Sequence, residues 1–264
     1  MGGSPGIYLV MTVTSSPKTT LKRRMFFHSV LKALPKAEQS FFVRLAHVRN
    51  DLRHITSLCQ IGLQGVRSTR GLERDICLHQ LLFAVRSLCG TLNEAWVLIK
   101  TDWDDTGLGK QLSPQLSATV RESLKFLRRY FGNSSLLTKL RNEFAFHYFS
   151  SNLPRVIDRV EETHEHEFIT GKLSGNTFYG FAEKLLNFAM VDVTGDTDVL
   201  PAVRRLYDEP SRAYSHFIRF SDAVLFEIAK RFRVQTESFE TTMVIDPRDV
   251  PSVIFIDENE SSST

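Results

Sequence analysis

The chain has 264 residues, enough to bury a sizeable core as one large domain or two small ones. Hydrophobic content of 42% and charged content of 24% are those of an ordinary soluble globular protein. A net charge of +3 excludes any whole-molecule electrostatic argument for nucleic acid, so a basic surface has to be local.

The 20 Phe are a high count and read as core and interface packing. Cys59, Cys77 and Cys89 are odd in number, lie in apolar runs and lack zinc-ligand spacing, which fits a reduced cytoplasmic compartment and no metal. The apolar patch from Ile7 to Val13 is too short to span a bilayer, and Gly6 breaks the myristoylation pattern after Gly2. No membrane association is expected.

Residues 1–30 read as a flexible leader rich in Gly, Ser, Thr and Pro, with a small basic cluster at Lys22, Arg23 and Arg24. Pro35 opens the first long helix, whose stripe is Phe41, Leu45, Val48, Leu52, Ile55 and Cys59. Within it, Arg49-Asn50 and His54 place a cation and an imidazole close together, but on the helical wheel His54 points away from the core. A second helix, started by Gly71 or by the preceding Ser68-Thr69, runs to about Trp103, antiparallel to the first because the connection is short. Its His79 reads as a packing histidine. The acidic, glycine-containing stretch from Asp102 to Gly109 lacks the ligand series of an EF-hand and reads as a turn.

A third helix follows Ser113-Pro114, with Leu116, Val120, Leu124, Leu127 and Tyr130 inward. Its other side carries Arg121, Lys125, Arg128 and Arg129, and Lys139 follows after the turn. Clustered cations of this kind hold a polyanionic backbone with salt-sensitive, sequence-tolerant affinity; an ordinary solvated helix face is the competing reading.

The stretch from Asn133 to Tyr148 reads as a single helix capped by Asn133 and Ser134, with Leu137, Leu140, Phe144 and Tyr148 facing a core. Arg141 falls about 40° to one side of Leu137 and His147 about 80° to the other, roughly 9 Å apart along the axis. A cation and a titratable imidazole thus flank one apolar stripe, where a helix meets its neighbours. Phe146 projects from the opposite face, as a helix buried by both core and partner would require.

Arg141-Asn142 with His147 five residues beyond the pair's polar member, on the last of four helical segments spanning about half the chain, resembles the Arg/His motif of the HEPN superfamily of helical ribonucleases and nucleotide-binding proteins. The wording LRNEFAFHY is similar to the abortive-infection branch of that superfamily. The resemblance implies an all-α antiparallel bundle, a homodimer whose motifs meet across a two-fold axis, no cofactor, and metal-independent cleavage of RNA in bacterial anti-phage or toxin–antitoxin defence. It implies Arg141, Asn142 and His147 as the catalytic set and an antitoxin or nucleotidyltransferase as partner protein.

After Tyr148 the pattern changes. Pro154 to Glu162 reads as a short helix, Glu167–Gly171 and Thr177–Tyr179 as a small β-hairpin around Ser174-Gly175-Asn176, and Phe181 to Met190 as helix. His164-Glu165-His166 is weak as a metal site, since neighbours two apart share a face only on a strand. Pro210 is expected to interrupt or restart a helix that carries Tyr214, Phe217, Val224, Leu225, Ile228 and Phe232 inward. The expected organisation is a leader over 1–30, a four-helix HEPN-like bundle over 31–150, a helical extension over 151–235, and a strand-prone segment with an acidic tail over 236–264.

Three functional readings follow from the residues. In an endoribonuclease, Arg141 binds the scissile phosphate, His147 handles the proton or orients the attacking hydroxyl, and Asn142 positions either group. In a catalytically inactive nucleotide- or protein-binding module, the same residues line a pocket or groove. In a purely structural role, Arg141 pairs with Glu143 or with a carboxylate of a neighbouring helix.

Overall fold

A computed structural model describes residues 18–133, 135–145, 153–163, 166–170, 172, 177–196, 199–232 and 235–242. The Ile7–Val13 patch, Ser134, residues 146–148, His164, Glu165, the 174–176 turn and the strand-prone, acidic segment after 242 lie outside the described residues.

The molecule is built from helices: α1 (His28–Lys32), α2 (Lys36–Ser68), α3 (Gly71–Leu98), α4 (Leu108–Leu112), α5 (Ala118–Gly132), α6 (Leu136–Leu140), α7 (Leu153–Arg159), α8 (Gly180–Thr194) and α9 (Val199–Ala229). The fold is therefore an all-α bundle, as the periodicity predicts. One two-stranded antiparallel sheet is added at its margin, β1 (Lys18–Met25) with β2 (Gln235–Thr242). Two helices continue beyond their α-helical register into π-helical turns, Ile99–Asp104 after α3 and Arg141–Ala145 after α6.

Helix α2 begins directly after Pro35, whose fixed φ suits a helix entrance. Its stripe buries Phe41, Leu45, Leu52 and Cys59 completely and Val48 and Ile55 in part. Helix α3 is buried along most of its length and packs tightly against α2: a Cβ on Gly62 would stand 3.0 Å from the Leu81 backbone, so the small residue sets the approach of the two axes. Gly71–Asp104 is long and apolar enough to cross a membrane, but 56% of its apolar window is buried inside the bundle, the pattern of a core helix.

The bundle departs from expectation in its fourth member. Residues 136–145 supply only five residues of α-helix before the π-helical turn, and they lie on α3, α8 and α9. The long fourth helix is α9, which packs on α2, α3 and α5 and buries Phe217, Phe220, Val224 and Ile228 in the same core as Phe41 and Trp103. Residues 199–229 are thus an integral wall of the bundle and more than an extension of it. Pro210 does not interrupt α9; the helix runs through it with Pro210 buried.

The leader is shorter than its composition suggests, because Lys18–Met25 pair with Gln235–Thr242 in a register that sets Arg23 opposite Glu237. Backbone groups of both segments satisfy one another, a pairing across more than two hundred residues that local composition does not reveal. Of the expected hairpin near residue 170, the described residues show one bridge, in which Ile169 and Phe178 exchange hydrogen bonds of 2.7 and 2.9 Å.

His79 is a packing histidine. It is buried on α3, Asn187 Nδ2 of α8 lies 2.7 Å from its Nδ1, and Phe178 packs beside the ring. Burial pushes its pKa below the usual imidazole value. The unfolded chain therefore binds a proton more readily, and stability is expected to fall as pH drops below about 6.5, levelling once the folded imidazole also protonates. His79→Leu should flatten part of that slope and cost about 1–3 kcal/mol by stranding the Asn187 amide, as read by urea denaturation at pH 5 to 8.

Candidate functional site

The capping of the motif helix differs from the expected one. Ser135, and not Asn133, receives the backbone N–H, with Thr138 N donating to Ser135 Oγ at 3.2 Å. Asn133 instead donates from Nδ2 to the Arg129 carbonyl at 3.1 Å and so belongs to the end of α5. Starting the helix two residues later leaves Leu136, Leu137 and Leu140 to fill the core.

Arg141 stands at the first position of the π-helical turn, and Phe144 of the same turn is buried as the stripe predicts. A π-helical turn closes i→i+5 hydrogen bonds and is wider than an α-helical one. The 100° steps that set His147 about 80° from Leu137 therefore do not carry past Leu140. His147 lies outside the described residues, so the Arg141–His147 geometry is not fixed by them.

The guanidinium of Arg141 is anchored. One terminal nitrogen donates to Glu94 Oε1 of α3 at 3.0 Å, the other to Asn142 Oδ1 at 3.1 Å, and Nε is buried without a partner among the described residues. The side chain is 33% exposed and so reachable from solvent. Asn142 is exposed. Glu94 is the neighbouring-helix carboxylate that the structural reading of Arg141 requires, and sequence inspection did not single it out. It sits on the outer face of α3 between the exposed apolar residues Phe83 and Val97.

The expected RNA-contacting cations are partly committed to protein partners. Arg121 donates to the Leu116 carbonyl, Arg128 pairs with Asp104, and Lys125 lies 3.8 Å from Glu122. Arg129 and Lys139 are exposed and have no carboxylate partner among the described residues. The acidic stretch explains itself in the same way: Asp104 binds Arg128, and Asp102 pairs with Arg44 of α2, so these carboxylates balance arginines. The alternative pair resolves similarly. Arg49 makes a two-point contact with Asp222 of α9, at 2.8 and 3.3 Å, and ties α2 to α9, while His54 is exposed.

No group of three or more His, Cys, Asp or Glu positioned to hold a metal occurs among the described residues. Cys59, Cys77 and Cys89 are buried, and burial pushes the Cys59 thiol up to about 11, which leaves it a poor nucleophile at neutral pH.

A second cationic group was not anticipated. Arg212, His216 and Arg219 recur on one face of α9 against Ser123 and Phe126 of α5. The four- and three-residue steps that put them on one face are visible in the sequence. Compared with family models, with curated proteins and with solved structures, the chain finds no match.

Proposed function

We propose that this protein is a metal-independent endoribonuclease acting from a homodimer in a defence or toxin setting in the cytoplasm. The observation that carries the reading is the anchored guanidinium of Arg141 at a helical irregularity, oriented by Glu94 and Asn142 and still partly open to solvent. An arginine whose rotamer is already set loses less entropy on receiving a phosphate, and its planar fork suits two phosphate oxygens. π-Helical turns also occur frequently at functional sites.

In this reading Arg141 binds the scissile phosphodiester and stabilises the charge that builds on it. His147 withdraws the proton from the 2′-hydroxyl or orients that hydroxyl, the 2′-oxygen bonds to phosphorus, and the bond to the 5′-oxygen breaks with a proton returned to it. Products are a 2′,3′-cyclic phosphate and a 5′-hydroxyl. Self-association supplies Arg141 of one copy and His147 of the other to each composite site. Arg129 and Lys139 extend the contact along the backbone.

The Glu94 pair also favours a second reading, a non-catalytic binding module in which Arg141 serves the fold. The test is incubation of the purified protein with transfer, messenger and ribosomal RNA in excess EDTA. Fragments ending in 2′,3′-cyclic phosphate are expected. RNA left intact after prolonged incubation overturns the nuclease reading and leaves the binding module.

A further inference from the structure

The seam between α5 and α9 gathers positive charge around one buried hydroxyl. Ser123 Oγ donates to the Thr119 carbonyl at 3.1 Å and so is free to accept from other groups. Two side chains of α9 use it: His216 Nδ1 lies 3.2 Å away and Arg219 donates at 3.3 Å. His216 stacks on Phe126 with ring centroids 4.0 Å apart, and the Arg212 guanidinium sits 4.9 Å from the same ring. With Nδ1 donating to Ser123, the imidazole turns Nε2 away from the seam.

Nearby carboxylates do not balance this charge. Glu209, one turn before Arg212, is held by Tyr130 at 3.0 Å and Arg205 at 2.7 Å. Asp222 is held by Arg49, and Glu122 faces Lys125. Among the described residues no carboxylate pairs with Arg212, His216 or Arg219, and both arginines are exposed. Like charges packed on one helix face repel, whereas Arg44 and Arg49 of α2, Arg128 of α5 and Arg205 of α9 are each matched by an acid. An unmatched set that is also held by a hydroxyl and an aromatic ring is preorganised for an anion.

The geometry points to a binding site for a chain of phosphoryl groups, with Arg212 and Arg219 donating to successive phosphates and His216 between them. The two arginines are seven residues apart on α9, about 10 Å along its axis. That span suits linked phosphates better than a single one, whether from an RNA backbone or a nucleoside triphosphate. Bound anions would also draw a proton onto Nε2, adding a third donor.

The test uses the full chain with three probes: inorganic phosphate, ATP, and a 2′-O-methyl oligouridylate. The last has no free 2′-hydroxyl and cannot be cut, so its binding is scored separately from the nuclease reading. Arg212→Gln/Arg219→Gln should weaken the best probe about tenfold or more, and for the oligonucleotide should make the salt dependence shallower by about two counterions. Arg204→Gln, which removes another exposed cation of α9, one that pairs with Asp208, should leave affinity unchanged. In wild type, the His216 imidazole resonances should shift on adding the same probe. Weakening for the oligonucleotide alone identifies an RNA backbone, and weakening for ATP alone a nucleotide. Unmoved His216 resonances, or equal affinity in the double variant and Arg204→Gln, overturn the site.

Discussion

Arg141→Ala should lower RNA cleavage by about 10²–10³-fold, the loss seen when one preorganised donor to a developing oxyanion is removed. Its thermodynamic cost should be small. The Arg141–Glu94 pair is one-third to one-half exposed, and ion pairs of that kind contribute about 0–1 kcal/mol. Activity and stability thus separate: the nuclease reading expects a large kinetic effect with a denaturation midpoint close to wild type, and the structural reading expects a shifted midpoint with no cleavage to lose. His147→Ala should match Arg141→Ala in cleavage. Glu94→Gln should retain more activity than Arg141→Ala, since it loosens the guanidinium without removing it. Cleavage retained in full by Arg141→Ala sinks the proposal whatever happens at Glu94.

The fold was legible where structure follows local periodicity. The α2 stripe from Phe41 to Cys59 and the inward residues of α5 follow from three- and four-residue spacing. What was not legible is set by distant parts of the chain. The α9 stripe places Phe217, Val224 and Ile228 inward, but periodicity names a face and not the helix that covers it. β1 pairs with a segment at the far end of the chain, and Pro210 is carried inside α9 because tertiary packing outweighs the missing hydrogen bond. At the candidate site the residues Arg141 and Asn142 were readable from their motif. The π-helical turn was not, since the same residue types also build an ordinary helix. Glu94 was hidden for a simpler reason: one glutamate on a long helix looks like any solvated one until the arginine that reaches it is known.

Trp103→Ala should cost about 3–5 kcal/mol, the largest single effect on stability expected in this molecule. Trp103 lies in the π-helical turn after α3, is fully buried, and joins three elements: Phe41 of α2 is 5.8 Å away and Phe220 of α9 meets it edge-on at 5.2 Å. Removing the indole leaves a cavity at the centre of the bundle that large neighbours on three helices cannot close together. Trp103→Phe should cost much less, because a benzyl ring still fills most of the space and the change also removes an indole N–H that has no acceptor among the described residues. The ring is packed against Gly109 as well, where an added Cβ would stand 2.7 Å from Nε1 and 3.0 Å from the Trp103 carbonyl oxygen. Gly109→Ala should therefore destabilise by about 1–3 kcal/mol through overpacking. The contact with Nε1 disappears in Trp103→Phe, so the two substitutions should combine less than additively in a double-mutant cycle read by chemical denaturation. Strict additivity would mean that the strain at Gly109 comes from the backbone oxygen and not from the indole.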